Sequence, residues 1–147
     1  MGKIAIRSVV VGGLIDVFAS SFLGAVSVVF VLLLLSIAHV PPERDSEIVP
    51  LVMHGNPLFI AAQILIGAGC SLLGGYLAAR LARHDETLNG ALSSFLSVGW
   101  SLVSIATGHD SEQLTLQVLL LLLKPALGFA GGSLRERQVR SKIVAGT

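Results

Sequence analysis

The sequence predicts an all-α fold: one integral membrane domain over residues 1–147, built as a bundle of four transmembrane helices with both termini cytoplasmic. Three observations carry that prediction. Hydrophobic residues make up 53% of the chain and charged ones only 13%, whereas a soluble globular chain runs at roughly 25% charged. The apolar residues come in long blocks, and blocks of about 18 or more are read as membrane helices. Finally, the basic residues fall almost entirely on one side of those blocks.

The first block covers about residues 9–38 and stops before Pro41-Pro42, a pair that cannot continue a helix. It is too long for the h-region of a cleaved signal peptide, which runs about 7–15 residues. An uncleaved first helix is therefore expected, although Ser36-Ile37-Ala38 resembles a cleavage site. The second block covers about residues 58–81, with Pro57 in its first turn, where a missing N–H costs nothing. The third covers about 88–107 and ends at Gly108; the fourth covers about 114–134 and leads into a basic cytoplasmic tail, 135–147. Short connections make sequential helices antiparallel neighbours.

Orientation follows from lysine and arginine. Of the ten basic residues, eight lie on one side: Lys3, Arg7, Arg80, Arg83, Arg135, Arg137, Arg140 and Lys142. Arg44 lies on the other side, with Glu43, Asp45, Glu47, Asp110 and Glu112, and Lys124 is embedded in the fourth block. The net charge of +1 conceals this asymmetry.

Two segments resemble each other. "SLLGGYLAARLAR" (71–83) lies over "GFAGGSLRERQVR" (128–140), with Gly74-Gly75 on Gly131-Gly132, Arg80 on Arg137 and Arg83 on Arg140. "GGLIDVF" also matches "NGALSSF", with Gly13 on Gly90. Two helical hairpins in the same orientation would give this pattern, as in transporters with parallel repeats. A chance match of glycine-rich, arginine-capped helix ends would give it too. The segment "GGYLAARLARHDETLNGAL" (74–92), with "GGLIDVF" early and "PALGFAGG" late, resembles a family of small four-span bacterial membrane proteins, mostly uncharacterised. That resemblance implies a four-helix bundle in a bacterial inner membrane and brings no catalytic residues with it.

Helices in lipid associate through small residues, because lipid is as apolar as leucine. Four-residue spacing marks Gly12 and Gly24 in the first helix, and Gly67, Ser71, Gly74, Gly75 and Ala79 in the second. Gly128 and Gly132 do the same in the fourth, while the third carries Ser93, Ser94, Ser97, Ser101 and Ser104. The serines read as helix packing or as a polar path. Trp100 falls near the middle of the third block, facing lipid or a gap in the bundle.

Two embedded charges are the candidate site. Asp16 is the only acid inside the four blocks, nine residues after Arg7 and so about 13 Å deep. Lys124 lies eleven residues before Arg135, about 16 Å deep. Each costs about 2.5–3.5 kcal/mol at a helix centre, so a pairing of Asp16 with Lys124 is expected, within one chain or between chains. Pro125 would free the Leu121 carbonyl near the ammonium group. The pair reads as an internal lock, as a contact that selects a partner subunit, or as part of a transport or proton path.

Little else is chemical. Cys70 is alone, and His39, His54 and His109 have no HxxxH spacing or cysteine partner, so no metal site is expected. No phosphate loop, nucleophile elbow or HExxH is present. The expectation is a non-enzymatic membrane protein without cofactor, a structural or accessory subunit of a membrane assembly. Its partners are the lipid bilayer and either further copies of itself or another membrane protein, not nucleic acid. The alternative is a small transporter or channel using the Asp16 and Lys124 region. For topology, a reporter active only in the periplasm should work when fused after Glu47 and stay silent after Lys142; a signal at the C-terminus would overturn the four-span count.

Overall fold

The computed structural model describes residues 4–106, 114–144 and 146. Among these the protein is all-α, with α1 (Ile6–Ile37), α2 (Asp45–Gly55), α3 (Pro57–Ala82), α4 (Glu86–Ala106) and α5 (Leu114–Val144), and a 3-10 turn at Pro42–Arg44. Within the described residues, α1 and α3 are long and apolar enough to cross a membrane. The expected outer loop at 108–112, with His109, Asp110 and Glu112, lies outside the described residues, as do Lys3 and the side chain of Ser104.

Local chemistry sets the helix ends. At the end of α1 the chain turns through His39 at φ 57°. The Val40 N–H donates to the Leu35 carbonyl and the His39 N–H to the Ser36 carbonyl, both near 3.0 Å. That is a Schellman cap, and Pro41 follows where the helix can no longer continue. Asn56 starts α3, its side-chain oxygen accepting the Leu58 N–H at 3.0 Å, and Pro57 occupies the first helical position.

Two segments are more regular than the sequence reading expected. The connection at 43–57 contains α2, whose Asp45 and Glu47 in the first turn and His54 in the last complement the helix dipole. The basic tail continues α5 as helix to Val144. No helix breaker follows Gly132 in that stretch, and Arg140 pairs with Glu136 one turn back at 2.6 Å.

The chain divides into two compact units, Met1–Phe18 with Ala68–Thr147, and Ala19–Gly67. In the first unit the helices meet backbone to backbone. A Cβ added at Gly12 would lie 2.7 Å from the Gly74 carbonyl oxygen, and one at Gly74 would lie 2.8 Å from the Gly12 oxygen. One at Gly75 would lie 2.5 Å from the Gly128 oxygen, and one at Gly90 would lie 2.8 Å from the Gly132 Cα. Gly13 fits against Leu96 and Ser93, and Gly131 against Leu72 and Tyr76. Ala78 and Ala79 are fully buried beside them.

The first unit's interior is small and polar: Ser8, Asp16, Ser71, Asn89, Ser93, Ser94 and Ser97 are all buried. Its large apolar side chains point outward, with Phe18 69% exposed, Trp100 62% and Leu122 71%. In the second unit Val31 is buried, and a groove of about 350 Å³ is lined by Val26, Ser27 and Phe30 of α1 and by Leu58, Phe59, Ala62 and Gln63 of α3.

Gly75→Leu should lower the melting temperature in detergent well below that of wild type, since overpacking typically costs 1–3 kcal/mol. Leu65→Ala, at a position 72% exposed, should have a smaller effect. Equal tolerance of both changes in thermal denaturation would mean that the close approach at Gly75 does not exist.

Candidate functional site

The site begins with two charges on helices that small residues bring together. The close approach of α1 to α3 at Gly12 and Gly74 sets Asp16 against Ser71. The Ser71 hydroxyl donates to Asp16, 3.2 Å from Oδ1 and 3.1 Å from Oδ2, so one proton is shared between both carboxylate oxygens. Asp16 is 2% exposed, and Ser71 is fully buried. Neighbouring Cys70 is a buried free thiol.

Lys124 lies on α5, and its Nζ donates to Ser101 Oγ of α4 at 3.0 Å. The direction of that reach follows from helix geometry. Gly128 lies opposite Ser94, so on an antiparallel neighbour the Lys124 Cα is level with about residue 98. Reaching Ser101 takes the stem about 4.5 Å toward the α5 N-terminus, the direction in which helical side chains lean. Ser101 has an acceptor to offer because its own proton goes to the Ser97 carbonyl at 2.9 Å. Ser97 and Ser93 likewise donate to Ser94 and Gly90 carbonyls of their own helix. Asp16, Cys70 and Lys124 lie within electrostatic range of one another.

Each charge is thus held by a serine hydroxyl. A hydroxyl on each charge is a solvation device the sequence reading did not anticipate. The expected partner of the ammonium group was Asp16, with the Leu121 carbonyl free nearby; Ser101 is a contact that the sequence reading did not name. Ser94 differs from its neighbours: its Oγ is buried, has no hydrogen-bond partner among the described residues, and sits against Gly128.

The remaining marked residues divide. Gly12, Gly74, Gly75, Gly128 and Gly132 lie where a neighbouring backbone approaches, with Ser71 and Ala79 buried among them. At Gly24 and Gly67 a Cβ would meet nothing within 4 Å in this chain. Four-residue spacing selects a helix face, and nothing in the spacing says whether a neighbour crosses there.

Sequence reasoning also missed Asn89, which is fully buried. Its amide nitrogen donates to the carbonyls of His84 and Asp85 at 3.0 and 3.1 Å, and its oxygen accepts the Ala5 N–H at 2.9 Å. One side chain thereby ties the α3–α4 turn to the chain just before α1. Its signal was an amide opening an apolar block. Gln63 gives the same signal in α3, and its buried Nε2 has no partner among the described residues.

At the same end of the first unit, Glu86 and Arg135 form an ion pair at 3.9 Å, too long for a hydrogen bond. The Tyr76 hydroxyl donates to Gln138 at 2.8 Å. Glu136 accepts a hydrogen bond from Thr87 and pairs with Arg140 at 2.6 Å. The Thr87 bond first, and the Arg140 charge second, hold the Glu136 carboxyl below its ordinary range. What Glu136 adds to folding is therefore present at neutral pH and lost as pH falls through that depressed value.

Comparison of the chain with protein-family models, with curated proteins and with solved structures gave no match.

The charges should be energetically coupled. Asp16→Asn and Lys124→Met should each destabilise the protein, and Asp16→Ala with Lys124→Met should recover most of the loss. The expected coupling is about 0.5–3 kcal/mol in a double-mutant cycle of detergent unfolding. Losses that simply add would mean each charge answers only to its own serine.

Proposed function

We propose that the chain is a four-span protein of a bacterial inner membrane, with both termini cytoplasmic, and that it serves as a non-enzymatic structural or accessory subunit. The membrane part of this reading rests on the inversion of the first unit. Serine, asparagine, aspartate, glycine and alanine fill its interior, while phenylalanine, leucine and tryptophan cover its exterior. Water would expel that exterior, since it drives large apolar surface inward. A hydrocarbon solvent accepts it, and leaves helix association to close packing and polar contacts. The resemblance of segment 74–92 to small four-span bacterial membrane proteins agrees with this reading.

The glycine layer favours a structural role over transport. At Gly12, Gly74, Gly75, Gly90, Gly128 and Gly132, backbone meets backbone at distances that exclude even a methyl group. Where those backbones meet, no solute passes between them. Asp16 and Lys124 then act as polar fixtures that set register, a role with precedent for buried polar groups. Exposed aromatic residues on α4, Phe95 and Trp100, offer surface to a neighbouring helix.

The protein should stay in the membrane pellet after alkaline carbonate washing and come out of mild detergent with a stoichiometric membrane partner. Reconstituted alone in liposomes, it should pass no ions. A clean homo-oligomer that conducts, with conduction abolished by Lys124→Met, would replace this reading with transport.

A further inference from the structure

A second feature of the first unit lies away from the embedded charges. Where α4 begins, a groove of about 570 Å³ runs between the α3–α4 turn, α4 and α5. Its walls change character along their length. At one end stand Arg83, Asp85, Glu136 and Arg140; at the other stand Leu88, Ala91 and Phe129. Phe129 and Glu136 are two turns apart on α5, so the change from apolar to charged takes about 10 Å. Leu88 and Phe129 are 41% and 54% exposed, on the surface that the membrane reading turns toward lipid.

We propose that this groove binds a zwitterionic aminophospholipid, with the headgroup at the charged end and an acyl chain along Leu88, Ala91 and Phe129. The proposal rests on the membrane reading above. Its argument is charge complementarity. Glu86, also on the groove, faces Arg135, and Glu136 faces Arg140. Asp85 also has a partner within the protein. His84 joins the rim. No hydrogen bond or ion pair engages the Arg83 guanidinium among the described residues.

A headgroup carrying only negative charge would meet Arg83 but also the carboxylates of Asp85 and Glu136. A phosphate beside an ammonium answers both signs: the phosphate on Arg83, the ammonium toward Glu136, whose carboxylate keeps lone pairs beyond those that Thr87 and Arg140 engage. Guanidinium groups suit phosphate because their planar fork donates two bonds at once. The backbone adds a second observation. Arg83 and Asp85 both adopt left-handed conformations, at φ 56° and 43°. Glycine would take these without strain, whereas an L residue pays roughly 1–2 kcal/mol.

The test is lipid binding by the full-length protein in detergent, read by native mass spectrometry. Phosphatidylethanolamine should bind about tenfold more tightly than phosphatidylglycerol. Arg83→Ala should weaken phosphatidylethanolamine binding by about tenfold, because a charged hydrogen bond is lost, and Arg83→Lys should recover part of it. Glu136→Gln should move the preference toward phosphatidylglycerol. Water-soluble glycerophosphoethanolamine should not compete, since it lacks the acyl chain. Equal or tighter binding of phosphatidylglycerol would overturn the proposal. So would variants that melt and bind like wild type, or competition by the soluble headgroup. A protein that resists carbonate extraction yet shows no lipid preference would sink this inference alone; one released by carbonate would sink the membrane reading beneath it.

Discussion

Everything in the first unit depends on the approach of backbones at its glycines. Where side chains meet across helices, axes stay 8–10 Å apart. Here the Gly12 and Gly74 carbonyls, and the Gly128 carbonyl against Gly75 and Gly90, lie where a Cβ would otherwise stand. Such closeness gains dispersion contact over long stretches of main chain, the main attraction left when the surroundings are as apolar as the helices. It also fixes register to within a residue, because carbonyls fit only where side chains are missing. Asp16 reaches Ser71, and Lys124 reaches Ser101, because that register holds.

How far the sequence discloses this depends on the kind of constraint. Composition and block length are summed over many residues, so the all-α character and the helix boundaries near Pro41 and Pro57 were legible. Spacing picks out faces but not neighbours, which is why Gly24 and Gly67 look no different in sequence from Gly12 and Gly74. Short amphipathic helices hide in connections: α2 carries its signal in a few charges around Pro50. Asn89 was hard to see because its work is done on carbonyls close in sequence and on Ala5, more than eighty residues away. A lone amide does not announce such a partner.

The internal similarity gains physical content from the contacts. Gly75 packs on Gly128, and Gly131 on Leu72 and Tyr76, so the two matching segments cross each other at their own glycine pairs. Asp16 lies opposite Ser71 on one side, and Ser94 lies opposite Gly128 on the other. Residues 71 and 128 correspond in the sequence match, so Ser94 takes the place of Asp16, one residue from Ser93, where the match of Gly13 with Gly90 lays Asp16. A common ancestor hairpin would produce such paired crossings. The departures are then the informative part. One member of the pair carries a carboxylate served by a hydroxyl, and the other carries a hydroxyl with no partner among the described residues.

That asymmetry bears on why a serine hydroxyl meets each charge. A buried pair must recover two large desolvation penalties through one contact, and often fails to do so. A hydroxyl is neutral and costs less to bury. It can turn its proton toward a carboxylate or its lone pairs toward an ammonium. Ser71 does the first and Ser101 the second, the latter after giving its proton to its own helix. Each charge is thereby solvated by a group that four-residue spacing places on the same helical faces as the packing glycines. Polar and close-packed positions share those faces for one reason: small side chains let helices approach, and serine is a small side chain that still carries a hydrogen bond.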